Sequence, residues 1–256
     1  MFRWCAYCQH LIGEAEPLES YKFSHGICPA CEIALESGPE PTPESLAAAH
    51  LLSQLMAGGV GSDEGRIESF LEEAERFGLR PSDILIGVIQ PALYEIGRLW
   101  ETNEITVGDE HRFTQLCLKL YSRLPLPPPA TGPTSILLAL SPDNRHDIGV
   151  RILERLALEH GVRCRVLPTG TSATAIVAAA QEEKPNVLGL SMSLPSSAET
   201  AKGILALCAQ AVPGLRLLIG GRAVRDLPQV FFPDANGARR IDDFLAELAR
   251  LAPSRA

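Results

Sequence analysis

No apolar run in this 256-residue chain approaches the roughly 20 residues that a membrane span requires. The opening stretch MFRWCAYCQH also lacks the apolar core of a signal peptide, so a cytoplasmic location is expected. Positive charge is neither abundant nor clustered: 23 Lys and Arg stand against 31 Asp and Glu, a formal net charge of -8. A large nucleic-acid surface needs clustered Lys and Arg, and the DNA-reading helix-turn-helix pattern is missing as well. Direct DNA binding is therefore not expected. No nucleophile–base pair and no catalytic pair of carboxylates can be picked out, so the chain does not read as an enzyme acting on its own substrate. What is present is apolar content, 46%, enough to bury a core in a chain long enough for roughly two domains.

Cysteine is sparse but unevenly placed. Cys117, Cys164 and Cys208 are scattered through amphipathic or apolar segments and read as small buried hydrophobes. Cys5, Cys8, Cys28 and Cys31 form two C-x2-C knuckles separated by nineteen residues. Two such knuckles offer four thiolates to one tetrahedral Zn2+. Two redox dithiols or accidental pairs are the alternatives, but a segment this short and this poor in apolar residues needs a staple to fold. Residues 1–36 are therefore expected to form a zinc-ribbon-like module. The stretch YKFSHGICPACE resembles small Cys-rich modules that accompany bacterial sensory proteins. Between Met1 and Glu36 the acids Glu14, Glu16, Glu19, Glu32 and Glu36 outnumber Arg3 and Lys22, which fits contact with protein, a partner or another copy, better than with DNA.

Three prolines in SGPEPTP (Ser37 to Pro43) mark a linker. Four helical segments follow over residues 44–124. ESLAAAHLLSQLMAG is rich in helix formers, and SDEGRIESFLEEAERFG opens on Ser62 as a cap and ends at Gly78. PSDILIGVIQPALYEIGRLWE carries apolar residues at helical spacing and should bend at Pro91. Thr106 to Leu124 holds Phe113, Leu116, Leu120 and Leu124 at spacings of three and four. Short connections make antiparallel neighbours, so a four-helix bundle is expected. Trp100, one of only two tryptophans, would end its third helix and Glu110-His111 would begin its fourth, at the same end of the bundle.

A second linker, PLPPPATGPT, has five prolines in ten residues. Beyond it, over residues 135–256, the apolar runs SILLAL, CRVLP, NVLGLS and LRLLIGG alternate with helical segments, the pattern of a doubly wound parallel sheet of Rossmann or flavodoxin type. Such sheets bind ligands outside the carboxyl ends of their strands. No G-x-G-x-x-G follows the first strand, which argues against a dinucleotide domain. No acidic pair ends that strand and no Asp ends the third, which argues against a phosphoacceptor receiver.

Those strand ends carry His146-x-x-Gly149, then after forty-one residues Ser191-Met192-Ser193, then after twenty-six more Gly220-Gly221. This spacing resembles the cobalamin-binding fingerprint D-x-H-x-x-G, S-x-L, G-G, and the helical segment resembles the cap domain found with it. The resemblance implies that His146 coordinates cobalt from below, that Ser191 lines the slot for the displaced nucleotide tail, and that Gly220 and Gly221 leave room for it. Gly149 belongs to the same fingerprint. Two positions depart from it. Asn144 stands where the family has an acid: either its amide oxygen accepts the same imidazole proton, making a somewhat weaker ligand of His146, or the adjacent Asp143 stands in; and Ser193 replaces Leu.

Trp100-x9-Glu110-His111 further resembles the cap of cobalamin-dependent photoreceptors. There the resemblance implies that Trp100 shields the adenosyl group of adenosylcobalamin while Glu110 and His111 contact it. Glu101 stands where the best-known light-gated repressors have a second histidine. The expectation is a cobalamin-binding sensory protein, with light as its signal, that acts through a protein partner or self-association. A corrinoid carrier for methyl transfer and a zinc-dependent adaptor with a vestigial cobalamin site stay open.

Overall fold

The computed structural model describes residues 1–5, 11–18, 23–26, 45–57, 64–225, 227, 231–232, 235–238 and 241–251. It divides into two compact units, Met1–Pro125 and Leu126–Ala256. Among the described residues no helix is long and apolar enough to cross a membrane.

The first unit opens on a small sheet of β1 (Phe2–Cys5), β2 (Leu11–Glu14) and β3 (Phe23–Gly26) in the order β2-β1-β3. β1 runs antiparallel to β2 and parallel to β3, with Cys5 in register with Gly26. Cys5 thus ends a strand, while Cys8, Cys28 and Cys31 lie outside the described residues. Among the described residues no group of three or more His, Cys, Asp or Glu is placed to hold a metal ion.

Four helices follow: α1 (Ser45–Ala57), α2 (Glu64–Arg76), α3, and α4 (Val107–Arg123). Helix α3 joins Pro81–Ile84, a π-helical turn over Leu85–Ile89, and Gln90–Glu101. The proposed cap Ser62 of α2 lies outside the described residues. α1 packs on α2 and α3, and α4 packs on the same two, so each helix has two principal neighbours. The apolar stripes set this arrangement: Phe113, Leu116, Cys117 and Leu120 of α4 are buried, as are Ile67 and Phe70 of α2 and Leu51 and Leu55 of α1.

A bend was expected at Pro91. A proline has no N–H to give and its ring crowds the carbonyl four residues back. The chain meets this with the π turn, in which the Gln90 N–H reaches the Leu85 carbonyl, five residues back, just before the proline. Thr106 starts α4 with a capping box: its hydroxyl accepts from the Asp109 N–H at 3.2 Å, and Asp109 Oδ2 accepts from the Thr106 N–H at 3.0 Å.

The second unit is a five-stranded parallel sheet in the order β5-β4-β6-β7-β8. Its strands are β4 (Ser135–Leu140), β5 (Arg163–Val166), β6 (Val187–Ser191), β7 (Arg216–Gly220) and β8 (Asn236–Ala238). Helices α5 (Ile148–Glu159), α6 (Ala173–Glu183), α7 (Ala198–Ala211) and α8 (Ile241–Leu251) alternate with them. Leu137, Ala139, Leu188, Leu190, Leu217 and Ile219 form one core with Ile176 and Ala180 of α6 and Ala201, Ile204 and Leu205 of α7. The alternate residues of those strands face the other side, where α5 packs on β4. Strand β8 is a departure from the four strands read in the sequence. Its Asn-Gly-Ala has no β-branched or aromatic residue, and it forms only because β7 offers an unpaired edge in register.

Candidate functional site

In the order β5-β4-β6-β7, the chain leaves β4 for one side of the sheet and β6 for the other. Their carboxyl ends therefore flank the switch point where open α/β sheets form a crevice. Residues 141–147 and 192–197 are the loops that leave those ends. His146 lies in the first with its side chain exposed. Beneath it Asn144 is 2% exposed. Asn144 Oδ1 accepts from the His146 backbone N–H at 3.0 Å and sits 3.3 Å from His146 Nδ1, while Asn144 Nδ2 donates to the Ser191 carbonyl at 3.3 Å. The amide is thereby oriented with its oxygen toward the ring, an acceptor suited to the Nδ1–H tautomer, in which Nε2 has the free lone pair. That is the form in which an imidazole binds a metal.

Asp143 does not stand in for the missing acid. Its Oδ2 accepts from the Ser197 hydroxyl at 2.6 Å, and that bond holds the Asp143 carboxyl below the usual carboxylate range. Asp147 is likewise engaged, with Arg151 at 2.8 Å. Ser197, 1% exposed, is a residue that the motif reading missed. It precedes α7, where a serine normally caps its own helix, yet it makes no such cap and crosses to the other loop instead. Nothing local in SLPSS distinguishes it from Ser196.

The glycines divide. Gly149 lies in the first turn of α5, and a Cβ built there meets nothing within 4 Å. The fold itself does not require a glycine at that place. Gly221 has φ +101°, and a Cβ there would fall 2.3 Å from the Met192 carbonyl oxygen. Its smallness is used up by the chain's own backbone. At Gly220 the neighbour is the Ala238 carbonyl oxygen, 3.2 Å from a Cβ. Ser191 turns its carbonyl to the Ser141 N–H at 2.9 Å as well as to Asn144, and Ser193 is half-buried.

In the first unit, Trp100 near the end of α3 is 46% exposed, an indole that its own unit does not bury. The turn from it to α4 is tied down. Arg98 donates to Glu95 at 2.7 Å and to Glu104 at 3.1 Å. The Thr102 hydroxyl, followed by Arg98, lowers the Glu104 carboxyl, as Thr106 and then Arg112 lower that of Asp109. One turn into α4, Glu110 accepts from the Thr114 hydroxyl at 2.9 Å and lies 3.5 Å from His111 Nε2. Glu110 keeps acceptor capacity beyond these two contacts, because a carboxylate has about four lone-pair sites.

The second unit's features fit a corrinoid whose cobalt the His146 imidazole would hold: an exposed histidine on a loop at the switch point with an acceptor at its Nδ1, and no atom within 4 Å of a Cβ at Gly149. The match to known proteins agrees. Two protein-family models, each described as a B12 binding domain, match residues 51–124 and 134–243. The chain is 30% identical over 174 residues to the HTH-type transcriptional repressor CarH of Myxococcus xanthus, a match covering 67% of this chain and 57% of that protein. It thus spans little more than half the length of that relative. The structure of the monomethylamine corrinoid protein of Methanosarcina barkeri superposes with a TM-score of 0.62 at 15% identity, over 80% of this chain and 96% of that one. This chain is a member of the B12-binding domain family, a helical cap domain followed by a parallel-sheet domain that binds cobalamin.

Proposed function

We propose that this protein is a cobalamin-dependent sensor, with adenosylcobalamin as its working cofactor and light as the signal it reads. The observation that carries the proposal is Trp100, a half-exposed indole ten residues before Glu110 in a turn braced by Arg98. A large apolar ring left in water by its own unit is explained by a ligand that covers it. When bound, adenosylcobalamin supplies a cobalt–carbon bond that light can cleave. His146 holds the cobalt through Nε2. Trp100 excludes water from the adenosyl group, and Glu110 and His111 hydrogen-bond to its hydroxyls or amine. Ser191, Ser193, Gly149 and Gly220 belong to the binding surface of the sheet domain, Asn144 supports His146 from beneath, and Gly221 supports the surface through Met192.

The 30% identity to a transcriptional repressor supports a regulatory role over methyl transfer. Residues 1–36, 44–124 and 135–256 act as three modules. In the first, Cys5, Cys8, Cys28 and Cys31 bind one Zn2+, and the module passes the change at cobalt to a protein partner or a second copy of the chain.

The test is an absorption spectrum of the protein reconstituted in the dark with adenosylcobalamin, before and after green light, alongside His146→Ala. The sensor reading expects a dark spectrum that depends on His146, conversion on illumination, and a coupled change in size on a gel-filtration column. A preference for methylcobalamin with no change in assembly would replace the sensor by a methyl carrier.

A further inference from the structure

The acids on either side of His146 are both occupied elsewhere, Asp143 by Ser197 and Asp147 by Arg151. The group that reaches the imidazole is a neutral amide with both of its arms in use. Asn144 Oδ1 serves His146 twice, at the backbone N–H and at Nδ1, and Asn144 Nδ2 serves the Ser191 carbonyl at the end of β6. An aspartate in the same place keeps the first pair of bonds and loses the second, since a carboxylate has no N–H to give. Its second oxygen would then face the Ser191 carbonyl, two acceptors without a proton, in a position where Asn144 is 2% exposed and water has little access.

We infer that Asn144 is a positioning residue that must be an amide: its oxygen sets His146 in the Nδ1–H form, and its nitrogen ties the loop carrying His146 to the end of β6. Ser141 N–H donates to the same carbonyl, and the Ser197–Asp143 bond is a second tie between the two loops. The lower site is in this way preorganised without a carboxylate on the histidine, and the departure from the acid of the fingerprint is a change of architecture as well as of charge. The affinity arm of the test below rests on the reading of His146 as the cobalt ligand. The other two arms do not.

The experiment uses the whole 256-residue chain without cofactor, labelled with 15N-histidine, and titrations with hydroxocobalamin. Wild-type His146 is expected as the neutral Nδ1–H tautomer. Asn144→Asp is expected to keep that tautomer, to exchange the backbone amides of residues 192–197 faster, and to bind hydroxocobalamin about tenfold more weakly, within the range seen when the partner of a metal-binding histidine is altered. Asn144→Ala is expected to return the ring to the Nε2–H form that free histidine prefers. The inference is overturned if wild-type His146 is Nε2–H, or if Asn144→Asp leaves both the exchange and the affinity unchanged. His146→Ala separates the two claims: if it binds hydroxocobalamin with the wild-type spectrum, the ligand assignment fails, while the tautomer and the exchange rates still decide the role of Asn144.

Discussion

Gly149 and Gly221 belong to the same fingerprint, and their surroundings give them opposite consequences. A methyl group at 149 meets nothing within 4 Å, and alanine is a better helix former than glycine by about 1 kcal/mol. Gly149→Ala is expected to raise stability by up to about 1 kcal/mol in urea denaturation while weakening cobalamin binding, as the proposed place of Gly149 in the binding surface requires. Unchanged affinity would remove Gly149 from the site. At 221 the methyl collides with the Met192 carbonyl in a backbone conformation, φ +101°, that L residues rarely adopt. Gly221→Ala should cost about 3 kcal/mol or more and shift the denaturation midpoint even without cofactor. The motif was legible in the sequence at both places, yet only packing shows that a side chain has room at 149 and none at 221. The partner of Asp143 is a similar case. Adjacency to Asn144 made it a stand-in for the missing acid, but the Ser197 hydroxyl, fifty-four positions away in sequence, holds it elsewhere.

At the scale of elements, the start of α4 decides where Glu110 and His111 point. Thr106→Ala removes the cap, and a lost threonine cap costs about 1 kcal/mol. It is expected to lower thermal stability by that amount and to reduce any preference for adenosylcobalamin over hydroxocobalamin, compared by titration. The same turn carries a pH dependence. Asp109, bonded to Thr106 and Arg112, has a folded-state pKa lowered from its ordinary value. A carboxylate of that kind contributes stability that is fully present above its unfolded pKa, about 4, and lost as pH falls through the folded value. The protection factors of the amides at the first turn of α4, exchange rates taken relative to an unstructured chain at the same pH, should therefore fall below about pH 4, and Asp109→Asn should abolish the acid-dependent part. The helices and most strands were legible because their apolar spacing is local: SILLAL became β4 over the same residues, Ser135–Leu140. Strand β8 was not, since Asn236-Gly237-Ala238 is a strand only by virtue of its neighbour β7.

For the molecule as a whole, each unit has its own apolar interior. The core that joins α6 and α7 to the sheet lies entirely within the second unit. Residues 126–256 produced alone are expected to unfold in one cooperative transition followed by circular dichroism, as domains with their own core do. Hydroxocobalamin at a hundred times its dissociation constant should stabilise that fragment by about 2.7 kcal/mol, the amount mass action gives. Loss of this shift in His146→Ala would tie it to the imidazole, and an uncooperative melt would show that the sheet depends on the first unit.

Local pattern was enough for the alternation of strands and helices, the apolar stripes of α2 to α4 and the spacing of His146, Gly149, Ser191 and the glycine pair. These are repeats and intervals along one chain, and burial of an apolar face imposes them directly on sequence. The approach of the Asn144 amide to His146, the diversion of Ser197 from its own helix and the contrast between open Gly149 and crowded Gly221 were settled by folding. Each depends on atoms that approach across loops or between adjacent strands, and no interval in the sequence records which acceptor a donor will meet.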